Sequence, residues 1–404
     1  MKKILLGTTT LVGAALVAQA ALADAPKVTV GGFSDFEAGI VSDDQDANQR
    51  NHAFRTDNEI SFKVDGKSDS GLGYGAEIWL EADVDSDADE SGSSDQLNQG
   101  INASKTFVYV EGTWGRFEGG ANLGPDQTLK VDAASIARAT GGIDGDWRLF
   151  ANNTANNPYI ATPDLPLNYG YSSGISNVGL GDESQENLNK ITYYTPKWSG
   201  FQAGISYIPS DQERGQFMTS ATRVDNTAGG TFGTNNTVAA GQADNIWVGG
   251  LNWMGQWDQI GIALAATAER GNAESALNED LWAWQVGGKL SYMGFSIAGS
   301  FADWGDSLRL KAENANDTDF WTVGGAYEYG PYGISVTYLR SSIDQGPGIQ
   351  ENKLRNWTVG ADYKLAPGLT PFVELSFYDM EAAGAAPDDD NEGHVFLIGT
   401  SLNF

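Results

Sequence analysis

Cysteine is absent from the 404-residue chain, which excludes disulfides, thiolate metal sites and cysteine nucleophiles. Histidine occurs only as His52 and His394, leaving little material for imidazole chemistry. Positive charge is scarce: 24 Lys and Arg stand against 53 Asp and Glu, a formal charge of −29. That balance disfavours nucleic-acid partners, whose backbones demand cationic surfaces. It favours cations, held in loops or drawn into a pore, although an acidic surface serving solubility alone gives the same count. Long apolar runs are missing too. Past the first residues no stretch approaches the ~20 apolar residues of a spanning helix. The chain is therefore either soluble or inserted as a closed barrel, because only these satisfy every backbone polar group.

Glycine and aromatic residues, by contrast, are plentiful. Gly 51, Trp 12, Tyr 15 and Phe 17 suit a membrane barrel better than two or three soluble domains. The N-terminus reads as an export address: Lys2 and Lys3 precede an apolar stretch from Ile4 to Ala18, and Ala21-Leu22-Ala23 forms an A-x-A cleavage site. Residues 1–23 are expected to be a signal peptide and residues 24–404 the mature barrel. Without Lys2 and Lys3, 22 basic residues remain against 53 acidic ones, a formal charge of −31.

Apolar and polar residues alternate from end to end. Phe201-Gln202-Ala203-Gly204-Ile205-Ser206-Tyr207 and Trp357-Thr358-Val359-Gly360-Ala361-Asp362-Tyr363 are examples. Successive strand residues face opposite sides, so one face is apolar or aromatic and the other small or polar. A soluble sandwich has the same period. The connections decide between the two.

Tight turns near Ser68–Gly71, Gly112–Gly115, Lys197–Gly200, Gly255–Asp258, Met293-Gly294, Gly330-Pro331 and Ala366–Leu369 alternate with long polar segments. The long segments lie near 42–52, 85–102, 124–188, 209–242, 271–280, 305–317, 344–352 and 382–392. Short turns on one side and long loops on the other is the asymmetry of outer-membrane barrels. The apolar stretch Leu165–Tyr171 would break that order as a strand, so it belongs to the 124–188 connection. Sixteen strands remain: Val28–Val41, Ala53–Lys67, Leu72–Val84, Ala103–Glu111, Arg116–Leu123, Asn189–Pro196, Phe201–Ile208 and Ala243–Met254, then Gln259–Arg270, Leu281–Tyr292, Phe295–Trp304, Thr318–Tyr329, Tyr332–Ile343, Lys353–Leu365, Thr370–Glu381 and Gly393–Phe404. The expected fold is all-β, a sixteen-stranded antiparallel transmembrane barrel whose last strand closes on the first. Trp114, Trp198, Trp257, Tyr292, Tyr329 and Tyr332 near the tight turns, with Trp282, Trp304, Trp321 and Tyr338 near the loops, suggest two interfacial girdles.

These features resemble the general porins of Gram-negative bacteria, and are nearest to those of alphaproteobacteria. The most specific pieces are the closing Thr400-Ser401-Leu402-Asn403-Phe404 and the hairpin from Thr106 to Phe117. The resemblance covers essentially the whole mature chain. It implies a homotrimer in outer-membrane lipid and lipopolysaccharide, and passive diffusion of small hydrophilic solutes and ions. It further implies a loop after the fifth strand that folds into the pore, and insertion by the barrel-assembly machinery reading Phe404. The family often has an arginine at the end of the fifth strand. Here that stretch reads Glu118-Gly119-Gly120-Ala121-Asn122, so the basic pore wall is weaker.

If Ile60, Phe62 and Val64 face lipid, then Arg55, Asp57, Glu59, Ser61, Lys63 and Asp65 face the lumen. The same rule places Glu77, Trp79 and Glu81 inside, followed by Arg116 and Glu118. The long loop brings Asp126, Asp132, Asp144 and Asp146, with Arg138 and Arg148 interspersed. Charges opposed across a narrow aqueous gap sort solutes by sign, whereas the same loop charges in bulk water do not. Asp83, Asp85, Asp87 and Asp89 form an oxygen-rich run suited to Ca²⁺ or Mg²⁺, but Ala88 stands where a helix–loop–helix calcium site needs glycine. No other cofactor is indicated. Two rival functions stay open. A sugar-selective channel would use Trp79, Trp147 and Tyr159 as an aromatic slide. A barrel hydrolase would have to use His52 or His394, and no G-x-S-x-G motif accompanies them.

Overall fold

A strand whose two faces differ needs a neighbour on each edge, and closure supplies one to every strand. The computed structural model describes residues 25–44, 50–82, 102–151, 159–168, 188–211, 243–315, 317–383 and 390–404. The expected signal peptide and the Asp83–Asp89 run lie outside them. The described strands are β1 (Lys27–Asp43), β2 (His52–Lys67), β3 (Gly73–Glu81), β4 (Asn102–Gly112), β5 (Gly115–Ala121), β6 (Asn189–Tyr194), β7 (Phe201–Ser210) and β8 (Ala243–Trp257). They continue with β9 (Ile260–Ala273), β10 (Leu281–Tyr292), β11 (Phe295–Gly305), β12 (Thr318–Tyr329), β13 (Tyr332–Ile343), β14 (Asn352–Tyr363), β15 (Leu369–Glu381) and β16 (Asn391–Asn403). Each pairs antiparallel with its neighbours in sequence, and β16 pairs with β1 to close the barrel. At the seam the Phe404 amide donates to the Gly32 carbonyl at 3.0 Å, and the Gly32 amide returns the bond at 3.1 Å.

Strand ends differ from the expected ones by a few residues. β5 stops at Ala121 instead of Leu123, because the chain turns into a short helix α1 (Pro125–Thr128) with Pro125 at its start. The Leu165–Tyr171 stretch is not a strand as far as it is described: Pro166–Asn168 forms a 3-10 turn, with Leu165 and Leu167 buried. The turn between β10 and β11 has positive φ at both Met293 (49°) and Gly294 (86°), the twist a two-residue hairpin requires.

The outer face is apolar, with Phe54 75% and Val108 61% exposed. Rings crowd both rims. Trp198, Trp257 and Tyr329 stand at the tight turns, while Tyr338 packs between Trp321 and Trp357 on the loop side, at 5.0 and 4.4 Å between centroids. Trp304 departs from the girdle expected of it. It is on the inward face of β11 and 1% exposed, within a core that also holds Val41, Trp147, Phe320, Leu354 and Tyr378. The inward face of β11–β16 thus turns apolar where the long loop covers it, which strict alternation could not indicate. Each large side chain buried there contributes about 1.5–3 kcal/mol to holding the loop.

Candidate functional site

The connection after β5 runs inside the barrel, along the inner wall of β7 to β16 and on to β1. Small hydroxyl residues on the inward faces receive its backbone. Ala133 N donates to Thr322 Oγ1 at 3.3 Å, Arg138 N to Ser335 Oγ at 2.9 Å, and Ile143 N to Thr337 Oγ1 at 3.1 Å. Glu374 on β15 accepts from Thr140 Oγ1 at 2.8 Å and from Gly142 N at 3.3 Å. A second short helix, α2 (Trp147–Phe150), carries the chain to β16 and β1. On the way back Ser341 Oγ donates to the Ile160 carbonyl at 2.8 Å, and Leu167 N to Glu269 Oε2 at 3.1 Å. Inward glycines let the backbones touch: a Cβ at Gly287 would lie 1.7 Å from the Val131 carbonyl oxygen, and one at Gly360 2.6 Å from that of Arg138.

β1 to β5 form the facing wall, and it carries the charges. Arg55 is within 2.8 Å of both Glu37 and Asp57, and 3.3 Å from Asp146 in the middle of the loop. Lys63 stands 3.3 Å from Glu77 and 3.7 Å from Asp65, which accepts a hydrogen bond from the Tyr109 hydroxyl. Arg116 pairs with Glu118 at 2.6 Å and Glu111 at 3.2 Å, and stacks over the Tyr109 ring at 3.7 Å. Glu59 accepts from Ser104 Oγ at 2.9 Å, and Lys105 covers the Trp79 ring at 4.8 Å. Glu81 lies directly across from Glu59 on the same inward face. Below this wall a cavity of about 760 Å³ is lined by Asp65, Tyr109, Glu111, Arg116, Tyr194 and Gln202, among others.

The four expected loop carboxylates divide into two pairs. Asp126 and Asp132 are each 1% exposed, inside the loop's own packing instead of on the gap. Asp144 and Asp146 keep 32% and 28% of their side chains open. Even so, Asp144 is raised to about 7, by burial first and by Asp164 second, against Lys130 and Arg148. Burial also raises Asp146, against the pull of Arg55. Lys130 sits between Asp164 and Asp132; burial opposes its charge, but the two carboxylates outweigh burial and lift it above the lysine range. Burial would raise Asp164, yet Lys130 and the Gln127 amide hold it below the usual carboxylate range.

Several residues escape sequence reasoning. Glu37 shares the inward face of β1 with Asp35, so the alternation around Phe36 and Ile40 could have found it. Lys130 and Asp164 lie on an aperiodic loop, where no pattern marks a facing side. Lys190 of β6 is opposite Gly120 and donates to the Asn122 carbonyl, bringing a cation to the end of β5 from the next strand. Trp147 and Tyr159 are 0% and 1% exposed, turned from the loop into the core against the wall, so of the proposed aromatic slide only Trp79 reaches the lumen. His52 and His394 lie on the outer surface, His52 beside Asn51 Oδ1 at 3.1 Å and His394 against Phe377. Among the described residues neither histidine bonds to a serine or a carboxylate.

Comparison with known proteins places this geometry. A family model described as Gram-negative porin matches residues 7–383. An uncharacterised protein of Rickettsia typhi is 24% identical over 94% of this chain and 93% of its own length. A porin of Rhodobacter capsulatus is 22% identical over 81% of this chain and 96% of its own length. Among solved structures, an anion-selective porin from Comamonas acidovorans superposes with a TM-score of 0.58 at 16% identity, covering 94% of this chain and 100% of that one.

Proposed function

The chain belongs to the Gram-negative porin family, and from that premise we propose that its barrel is a water-filled diffusion channel that prefers cations. As a porin it is a channel of the Gram-negative outer membrane. The observation that carries the cation preference is the junction of loop and wall, where Glu37, Asp57 and Asp146 surround the single guanidinium of Arg55. A second charged group within the loop has the same sign, with Asp132 and Asp164 about Lys130. A sixteen-stranded barrel leaves an aqueous lumen. Its walls are on the scale of the Debye length, ~8–10 Å at moderate salt, so their charges bias ion entry without direct contact.

The same reading includes a cleaved export signal in residues 1–23, supported by the A-x-A pattern, and assembly as a homotrimer among lipopolysaccharide. Phe404 serves as the element read during insertion. Reversal potentials across a KCl gradient in planar bilayers test the selectivity. Cation preference at low salt that fades as salt rises is the expected result; anion preference at low salt would sink the reading. Liposome swelling with graded sugars tests the open lumen, and rates that fall smoothly with solute size, without favouring one sugar of a given size, are expected.

A further inference from the structure

Where the two ends of the loop meet the wall, oxygens face oxygens. Glu269 of β9 is 0% exposed, and its carboxyl lies within hydrogen-bonding reach of the equally buried Asp126 on α1. Asn168, at the loop's return, donates its Nδ2 to Asp126 Oδ2 at 3.2 Å. Thr267 stands two residues before Glu269 on the same inward face, directly across from Gln285 on β10. Gln285 Nε2 points to the Pro163 carbonyl at 3.5 Å. With both amide nitrogens engaged on protein acceptors, the amide oxygens are fixed as acceptors. Asn168 Oδ1, Gln285 Oε1, Glu269 Oε1 and Thr267 Oγ1 are all buried and have no hydrogen-bond partner among the described residues. Asn168 is 6% exposed, Gln285 2% and Thr267 4%.

Buried acceptors in such number are costly unless something positive joins them. A proton shared between Glu269 and Asp126 would serve the carboxyl pair and leave both amide oxygens unserved. A cation serves all of them. The donors are oxygen only, which excludes the soft or borderline metals that take imidazole or thiolate. Two carboxylates match a divalent charge, and a mixture of carboxylate, amide and hydroxyl oxygens without strict octahedral order suits calcium better than magnesium. No group of three or more acidic, histidine or cysteine side chains is arranged to hold a metal among the described residues, so amide oxygens are essential to this site.

We infer that a calcium ion is bound by Glu269, Asp126, Asn168 and Gln285 and clamps both ends of the inserted loop to β9 and β10. Asp126 leaves the wall at the start of the loop and Asn168 returns to it, so one ion fastens the outgoing and incoming chain at one place. The inference rests on the loop's packing and is independent of the sign of the channel's selectivity.

The test uses the full-length protein in detergent, dialysed against EGTA and titrated with calcium alone. Calcium uptake is read by equilibrium dialysis and stability by thermal unfolding. One tight calcium per chain is expected, with a midpoint that falls on chelation. Glu269→Gln should weaken that binding at least about tenfold, the loss that even an outer partner of a metal ligand can cause. It should also remove the response to chelator. Replacing Asp83, Asp85, Asp87 and Asp89 together by asparagine should leave both intact. Should Glu269→Gln fail to fold, Asn168→Asp decides: a third carboxylate should tighten calcium binding, and unchanged affinity overturns the site. The inference also falls if the tight ion survives Glu269→Gln. It falls equally if the wild type ignores calcium and loses stability as pH rises through neutrality, the behaviour of a shared proton.

Discussion

The guanidinium of Arg55 on β2 and the carboxylate of Asp146 in the loop, ninety-one positions apart in sequence, approach to 3.3 Å where the loop meets the wall. Glu37 and Asp57 share the same arginine, each at 2.8 Å. One residue thus both ties the loop to the wall and offsets part of its negative charge. Arg55→Gln should increase cation preference at low salt, and Asp146→Asn should reduce it. Each change should be about two- to fivefold in permeability ratio, the scale of one charge acting over ~4–8 Å of water. Reversal potentials at 0.1 M and 1 M KCl check both, and shifts of the same sign in the two variants would contradict the arrangement.

Protonation should tune the same selectivity. Burial and Asp164 raise Asp144 to about 7, and burial raises Asp146 as well. A carboxyl with a raised pKa is neutral below that value and anionic above it. Cation preference should therefore strengthen as pH increases from about 6 to about 8. Asp144→Asn should flatten the rise. The measurement is permeability ratio against pH in symmetric buffer with a KCl gradient.

Contact between loop and wall predicts a contrast between two glycines. Gly287 abuts the Val131 carbonyl, whereas a Cβ at Gly249, on the outer face of β8, would meet nothing within 4 Å. Gly287→Val should lower the thermal unfolding midpoint, by the ~1–3 kcal/mol typical of overpacking. Gly249→Val should leave the midpoint unchanged or raise it, since a β-branched side chain suits a lipid-facing strand. Equal loss in both variants would mean that the loop does not rest on β10.

Phe404 ends the outward row Phe396, Ile398, Leu402 and Phe404 on the closing strand, at 62% exposure. Its backbone already bonds to Gly32, so a serine there keeps the seam's hydrogen bonds. Phe404→Ser is expected to export normally but to yield much less of the folded, heat-modifiable form. Heat-modified electrophoretic mobility of outer-membrane fractions measures this, and wild-type yield would remove Phe404 from the insertion signal.

Sixteen strands and the sides on which their residues lie were legible because a strand repeats every two residues. Ile60, Phe62 and Val64 had to share a face, which put Arg55, Glu59 and Lys63 on the other. Loop length and turn chemistry then set the strand count and brought β16 back to β1. The inserted loop has no such period. Nothing in its spacing distinguishes Asp126, sealed against Glu269, from Asp144, open to the lumen. Trp304 misled for a related reason: a covered inner wall accepts the aromatic that the outer girdle would also accept. Which carboxylate meets Arg55, which glycines receive the loop's backbone and which carboxyl lies against Glu269 all depend on contacts between distant segments. Local pattern sets the barrel, because hydrogen bonding and lipid act on each strand alike. Barrel closure sets the site, because only then do residues such as 55 and 146, or 126 and 269, come to share a volume.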